Sequence, residues 1–510
     1  MFPISARRFP VLRLGHVMAA EPGGAARGIH YPRKASMSTI IEKLADFSVN
    51  TAFEDIPAHV VEESKRLILD SIGCAFAAVD HPKGRIGVEY SRSMAGNGGA
   101  TIIGTPHQAS ALGAAMANGE LINALDMDAV VPPGHVTPYV LPGALATAEL
   151  ANASSRALIR AVAVSHEMSW RIGKAMDYLR DARNGQLDTP KVYGFSSTIF
   201  GATAAIAMLQ GQSASTLAHA LSIAGYISPV QSMMAFFHHA PSTTIKYQMA
   251  AALIQAAMMA AHMPVLGHRG NVQLLDDAEN GYAKFIGTRR WDTDRIVSDL
   301  GAHWGFTTEQ LYKPYPHCRI LHGPLDCLID IVERHDLRPE EIDGIHLFVE
   351  GFVQKPTWQT RDIQHVHDGQ FSIAHGMAIA AHRLKPGRDW QDPKHVFSPS
   401  VLGLMEKVRY EVHPDYLQQL SAHASARPSR VEVEARGQRF VAERLYPKGS
   451  PAPDPANLMS TDELIAKFHH NAEGVVPRDG AEAIVEAVMR LDDGRGVASW
   501  TPLLAGAPGA

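Results

Sequence analysis

Three stretches of the chain, Ala111-Leu-Gly-Ala-Ala-Met-Ala117, Ala202-Thr-Ala-Ala-Ile-Ala-Met208 and Met249-Ala-Ala-Ala-Leu253, are dominated by alanine and glycine. Side chains this small let helix axes approach closely, and helices apolar on every side are buried on every side. A chain with several such segments is expected to fold as a compact helical bundle. Val60, Val61, Ser64, Leu67, Ile68 and Ile72 recur at helical spacing, and the pattern stays mainly helical from Thr39 to about Ala261.

The character changes near residue 305. Ile342-Asp-Gly-Ile-His-Leu-Phe-Val-Glu350 alternates like a strand. So does Ser429-Arg-Val-Glu-Val-Glu-Ala435, which resumes after a glycine turn as far as Ala442. Helical stretches around Phe371 to His382 and Ser398 to Lys407 lie between them, so residues 305–448 read as an α+β block. The segment from Ser460 to Leu491 returns to helix, opened by the capping box Ser460-Thr-Asp-Glu463. It is too short to stand alone and is expected to pack back on the first block. The fold class is therefore mainly α: a discontinuous all-helical domain, residues 37–304 and 449–510, plus a smaller α+β domain, residues 305–448. The ends are set apart. Residues 1–36 carry six Arg or Lys residues against the single acid Glu21 and read as a disordered leader, with a weak likeness to a transit peptide. Met37 begins a stretch that looks like a natural start, with a helix cap at Ser38 or Thr39. The residues after Gly506 are expected to fray.

Hydrophobic residues make up 46% of the 510 and charged residues 19%, a globular balance. The formal net charge of -5 argues against nucleic-acid or membrane-surface binding driven by charge. Cys74, Cys318 and Cys327 form no CxxC spacing, so neither a metal finger nor a disulfide framework is expected, and reduced thiols fit a cytoplasmic protein. Gly96-Asn-Gly-Gly99 misses the GxGxxG spacing of a dinucleotide loop, and neither a phosphate-binding GxxxxGK[ST] nor a GxSxG elbow is present.

Two clusters carry chemistry. In the first, an apolar helical segment from Asn118 runs into Asp126-Met-Asp128, and a Pro-Pro-Gly turn then presents His135, followed by Thr137-Pro138. An imidazole with an ordinary pKa near about 6.5 gives or takes a proton at neutral pH. Asp126 is expected to orient it or raise its pKa, with Asp128 a candidate substrate contact. In the second, Lys313, His317, Arg319 and His322 form a basic patch stiffened by Pro314 and Pro316, suited to gripping carboxylates. His238 and His239 follow two phenylalanines and lack a third ligand at helical spacing, so no metal site is read there. Glu167 and Arg171, four residues apart, read as a structural pair.

These residues bring a family into view. Leu69-Asp70-Ser-Ile-Gly73, Ala100-Thr-Ile-Ile-Gly104, Ala117-Asn118-Gly119, Asp126-Met-Asp128, His135 with Thr137-Pro138, Glu167-Met-Ser-Trp-Arg171, Tyr312-Lys313-Pro-Tyr-Pro316 with Cys318, and Phe371-Ser372 occur in an order that resembles the MmgE/PrpD family. The resemblance runs from about Ile40 to Leu491. It implies a large helical domain built from both ends of the chain and an inserted α+β lid, usually in a homodimer. The implied active site lies in the cleft between them and acts on small di- and tricarboxylates without a redox cofactor. It places the family's aspartate on Asp126, its catalytic histidine on His135, its lid lysine on Lys313 and a lid histidine on His322. The chain departs from the pattern at four places. Ala129-Val130 replaces Asp-Thr. Phe195, in Tyr193-Gly-Phe-Ser-Ser197, stands for a histidine. Ser242 stands for a lysine, with Lys246 one turn later as a candidate catalytic residue. His375 stands for a lid tyrosine. His238 and His239 occupy positions where relatives carry small residues and are candidates to replace the lost imidazole, alongside Ser242 and His375 as substrate contacts.

The function expected from these residues is a cofactor-free lyase of dehydratase type, which abstracts a proton α to a carboxylate with His135, Asp126 and Lys246 as the acid–base set. A decarboxylase or an epimerase on a similar acid is the alternative, since the three reactions share a first step or its reverse. A carboxylate-binding protein with little catalysis is the reading from a different class. Each requires the bundle imidazole and the lid ammonium to face one pocket.

Overall fold

The computed structural model describes residues 38–176, 181–183, 186–188, 194–229 and 233–506. The leader, Tyr193 and residues 507–510 lie outside that set. Thr39 caps the first helix, Ile40–Asn50, and both arms of a capping box with Glu42 are made.

The helices Ala58–Ala77, Pro82–Met94, Ala111–Asn123, Thr137–Leu150, Ser155–Ala175, Thr198–Leu209, Ala214–Tyr226 and Ala250–His262 build the bundle. The small-residue segments lie at its centre. Ala111–Asn123 is buried from Gly113 to its end, and Thr198–Leu209 is buried through Ala207. Thr137–Leu150 packs against both of them and against Ser155–Ala175 and Ala250–His262. Close approach is a requirement at Gly119, where a Cβ would lie 2.4 Å from Ile254 Cδ1 and 3.0 Å from the Pro138 carbonyl oxygen. Arg171 Nε lies 2.6 Å from Glu167 Oε1, and the guanidinium also donates to the Asp299 and His303 carbonyls. That pair ties the 299–303 loop to the bundle, which is the structural role read from its spacing.

The α+β block holds a four-stranded sheet in the order Val408–Val412, Ile342–Val349, Ser429–Ala435, Gln438–Arg444. The last three are antiparallel neighbours, and Arg436 and Gly437 turn the hairpin with positive φ at both. Ile345, Leu347 and Val349 are buried along one face of the central strand. The helix His322–Arg334 packs on the strands that follow it. The strand Val408–Val412 pairs parallel to Ile342–Val349 and was not expected from the sequence. It is an edge of five residues with only Val408 buried, so its alternation carries little apolar signal. The helices expected around Phe371 to His382 and Ser398 to Lys407 run over Ile373–Ala381 and Pro399–Met405.

Helix Thr461–Ala472, capped by Ser460 and Glu463, lies along Ala58–Ala77. Lys467 Nζ sits 2.7 Å from Asp70 Oδ1 and 2.9 Å from the Met127 carbonyl, so the returning segment holds both the first long helix and the loop that carries the acidic pair. The described residues from Thr39 onward cluster as one compact unit. Among them, no helix is long and apolar enough to cross a membrane.

Removing one partner of a buried ion pair leaves an uncompensated charge and costs about 3–5 kcal/mol. Lys467→Met should therefore lower the urea midpoint by that scale. Lys467→Met combined with Asp70→Asn should recover much of the loss, and equal losses in the single and double variants would show that the pair is not coupled.

Candidate active site

The helix Ala111–Asn123 ends just before the acidic pair, and Asp126 takes a φ of 55°. This left-handed conformation is uncommon for a residue with a side chain, and aspartate is among the few that tolerate it. Asp126 and Asp128 are both buried as a result of the path the chain follows. At Gly134 a Cβ would lie 1.8 Å from Phe195 Cε1, so only glycine admits the Phe195 ring against the turn that presents His135.

His135 is held from three sides. Its Nδ1 lies 2.6 Å from Asp128 Oδ2, and its ring stacks on Tyr247 with centroids 4.7 Å apart and on Phe195 at 6.2 Å. Burial pushes the Asp128 carboxyl up, but the neighbouring His135 outweighs it and holds the group below its ordinary range. An ionised Asp128 can only accept, so Nδ1 carries the proton and Nε2 is the end left for a ligand. Asp128, which the sequence reading put among substrate contacts, is instead the partner that orients His135. Asp126, expected in that role, stands 3.8 Å from Nε2, beyond hydrogen-bond reach.

Asp126 gathers the cations. Lys313 Nζ lies 2.7 Å from its Oδ2 and also donates to its backbone carbonyl. Tyr247 donates to Oδ1 at 2.8 Å, and Lys246 Nζ approaches the same oxygen at 3.4 Å. Burial pushes Asp126 up, but Lys313, Lys246 and His135 together hold it well below the usual carboxylate range. Lys246 also donates to the Asn123 carbonyl at 2.6 Å. Like Asp126 it has a left-handed backbone, with φ 57°. Burial lowers Lys246 to about 7, against the opposing pull of Asp126. Lys313 is fully buried and reaches this point because Leu311 pairs with Val130 through N–H···O bonds of 3.0 and 2.9 Å. The Val130 position, a departure from the family pattern, thus works through its backbone.

The imidazole of the bundle and the ammonium of the α+β block therefore meet on one carboxylate. Other candidate residues stand apart. His322 Nε2 is 3.0 Å from the His317 carbonyl and His375 Nε2 is 3.1 Å from that of Val396, so both rings are bonded within the α+β block. Arg319 is buried beside His322, and its charge, after burial, holds that imidazole down. His317 is buried, and burial together with His375 lowers it to about 3. Among the candidates to replace the lost imidazole, His238 is exposed, and His239 is exposed on the lining of a cavity of about 460 Å³ shared with Phe236, Pro241, Thr243, Lys246 and Tyr247. Neither reaches His135. Ser242 is buried and accepts at its carbonyl from His367 Nε2 at 3.1 Å.

Sequence reasoning passed over Tyr247, Asn123 and His367. Asn123 Nδ2 donates to Asp128 Oδ1 at 3.3 Å and to the Tyr247 hydroxyl at 3.2 Å, and it sits inside the motif already singled out. His367 belongs to Gln364-His-Val-His-Asp368, a signal of two imidazoles that was available. Among the described residues no group of three or more His, Cys, Asp or Glu side chains is arranged to hold a metal ion.

Residues 42–294 match the MmgE/PrpD N-terminal domain, and residues 315–493 match the MmgE/PrpD C-terminal domain. The chain belongs to the MmgE/PrpD family. It is 25% identical over 492 residues to a cis-aconitate decarboxylase of Aspergillus terreus, covering 92% of this chain and 95% of the relative. Cis-aconitate decarboxylases of Mus musculus and Homo sapiens are each 24% identical, over 92% and 88% of this chain and 94% and 90% of their own lengths. The chain is thus an enzyme of the lyase type, as its sequence led us to expect.

Lys246 gives this cluster a pH signature. A lysine lowered to about 7 in the fold binds fewer protons than in the unfolded chain between pH 7 and about 10.4. Stability therefore rises with pH across that window, and the burial penalty is fully present below it. Lys246→Met removes the penalty, so the difference in unfolding free energy between wild type and variant should move in favour of wild type from pH 7 to pH 10. A pH-independent difference would place Lys246 at an ordinary lysine pKa.

Proposed function

We propose that the chain is a lyase acting on a small di- or tricarboxylate in the cleft between the bundle and residues 305–448, which serve as its lid. The observation that carries this reading is the His135–Asp128 pair, with Nε2 left facing a carboxylate that two lysines share. Asp128 fixes the tautomer and stabilises the imidazolium that forms when Nε2 takes a proton. Lys313 and Lys246 supply the positive charge on which a substrate carboxylate and a developing enolate can settle. Tyr247 keeps its proton, because burial and then Asp126 hold its pKa well above the ordinary value, and so it serves as a donor.

Loss of CO2 is the reaction favoured. Breaking the bond from carbon to carboxylate leaves an electron pair that passes to a conjugated second carboxylate, and one acid then returns a proton to carbon. The His135–Asp128 pair suffices for that return. The names of the relatives support the same choice. Dehydration is the second reading, supported by Lys246. Elimination of water needs a base at the α-carbon and an acid at the departing hydroxyl, and a lysine near neutrality can share that work with His135. The homodimer implied by the resemblance belongs to this proposal and is tested by sedimentation.

Incubation of the chain with a panel of di- and tricarboxylates in deuterated buffer, followed by NMR, tests the reading directly. Turnover is expected with deuterium incorporated at carbon. His135→Ala should lower the rate ~10²-fold or more, the scale of acid–base catalysis. Asp128→Asn should lower it less and shift the pH profile. An unchanged rate in His135→Ala refutes the assignment.

A further inference from the structure

The Asn123 amide has two ends. Its Nδ2 serves Asp128 and Tyr247 in the cluster that carries His135. Its Oδ1 accepts from Lys83 Nζ at 2.8 Å, and that ammonium also lies 3.4 Å from Glu120 Oε2. Lys83 stands in the first turn of helix Pro82–Met94, whose cap is His81: the imidazole Nδ1 accepts from the Lys83 N–H at 3.2 Å. An Nδ1 that accepts leaves the proton of a neutral ring on Nε2. The ring is neutral, because burial lowers it to about 3 and the charges of Lys246, His367 and Lys83 act in the same direction. His81 therefore presents an Nε2–H that is a donor only. The residue is 5% exposed, and that nitrogen has no acceptor among the described residues.

Ser242 repeats the pattern. It is 7% exposed, its hydroxyl has no partner among the described residues, and its carbonyl is held by His367. Four residues on, Lys246 directs two of its three N–H bonds to the Asn123 carbonyl and to Asp126. It also lines the cavity of about 460 Å³. Buried donors are costly to leave without acceptors. Two of them close to an ammonium lack only an acceptor with several lone pairs and a negative charge, and a carboxylate offers about four such sites.

We propose that His81 Nε2–H, the Ser242 hydroxyl and the Lys246 ammonium form a subsite for one carboxylate of the substrate, away from the carbon served by His135, with His81 as the residue that selects polycarboxylates over monocarboxylates. The subsite rests on reading the cleft as a carboxylate site, and it adds residues that neither the motifs nor the acid–base pair include. His81 and Ser242 come from segments about 160 residues apart that are joined through Asn123 and Lys246, so the subsite spans the bundle wall opposite the lid lysine.

The test uses the full chain and three unreactive probes, propane-1,2,3-tricarboxylate, glutarate and butyrate, titrated calorimetrically. His81→Asn keeps a cap acceptor and removes Nε2–H. His81→Asp keeps the cap and adds a negative charge. Ser242→Ala removes the hydroxyl. Affinity for the tricarboxylate and for glutarate should fall about tenfold or more in His81→Asn and Ser242→Ala, and further in His81→Asp, while butyrate binds all four proteins alike. Wild-type affinity for the tricarboxylate in His81→Asn, with an unchanged melting temperature, overturns the subsite whether or not the chain is a lyase. Weakened binding in the variants, with no turnover by wild type, sustains the subsite and removes the lyase reading. A wild-type protein that binds none of the probes overturns both.

Discussion

The Asp126 carboxylate is the point on which the two halves of the molecule close. An isolated carboxylate at that depth would take up a proton. It stays ionised because Lys313 comes from the α+β block, Lys246 from the segment before helix Ala250–His262, and Tyr247 from the next residue. Each of these groups is buried, so each would be equally costly without the others. The arrangement is all-or-none. The bundle holds one acid too many and the inserted block one base too many, and only the closed assembly neutralises both. A ligand carboxylate that enters this cleft meets ammonium groups already desolvated and already aimed, which is the pre-organisation that charge stabilisation requires.

Backbone strain at the centre is consistent with that role. Asp126 and Lys246 both hold left-handed φ values, 55° and 57°, and they face one another across 3.4 Å. Such conformations persist only where the surroundings over-determine them, and they gather at sites where geometry matters more than local comfort. The surroundings here are named bonds: Lys467 to the Met127 carbonyl, Lys246 to the Asn123 carbonyl, and Gln370 Nε2 to the Ala124 carbonyl at 2.9 Å. Three side chains from three distant segments each pin one carbonyl of the five-residue stretch that ends at Met127.

The bundle was legible in the sequence because its signal is local. Small residues on a helical period say that a helix is buried on every side without saying what buries it. The return of the C-terminal helix was legible for a negative reason, since Thr461–Ala472 has too little surface to stand alone. Strand Val408–Val412 was lost because one buried residue in five gives no period to read. At the site, the motifs delivered His135, Asp126 and Lys313 but exchanged the work of the two aspartates. Asp126 and Asp128 are nine and seven residues from His135, and no spacing rule separates them. The left-handed turn at Asp126 decides, and a sequence does not display it. Lys83 and Asn123 lie 40 positions apart and His367 and Ser242 lie 125 apart, so their contacts have no local trace at all.

Phe195 is the departure with the most chemistry in it. The resemblance places an imidazole there, and the structure places a benzene ring 5.2 Å from Tyr247 and 6.2 Å from His135. A phenyl ring cannot bond a carboxylate or carry a proton. It can exclude water from one flank of His135, which strengthens the Asp128 hydrogen bond and the pull of nearby lysines alike. The chain thus concentrates proton transfer on a single imidazole where the family pattern spreads it over two. The anion-holding capacity lost at 195 has to be found elsewhere in the cleft. His81 Nε2–H and the Ser242 hydroxyl, buried and without acceptors, are the groups the fold leaves available to supply it.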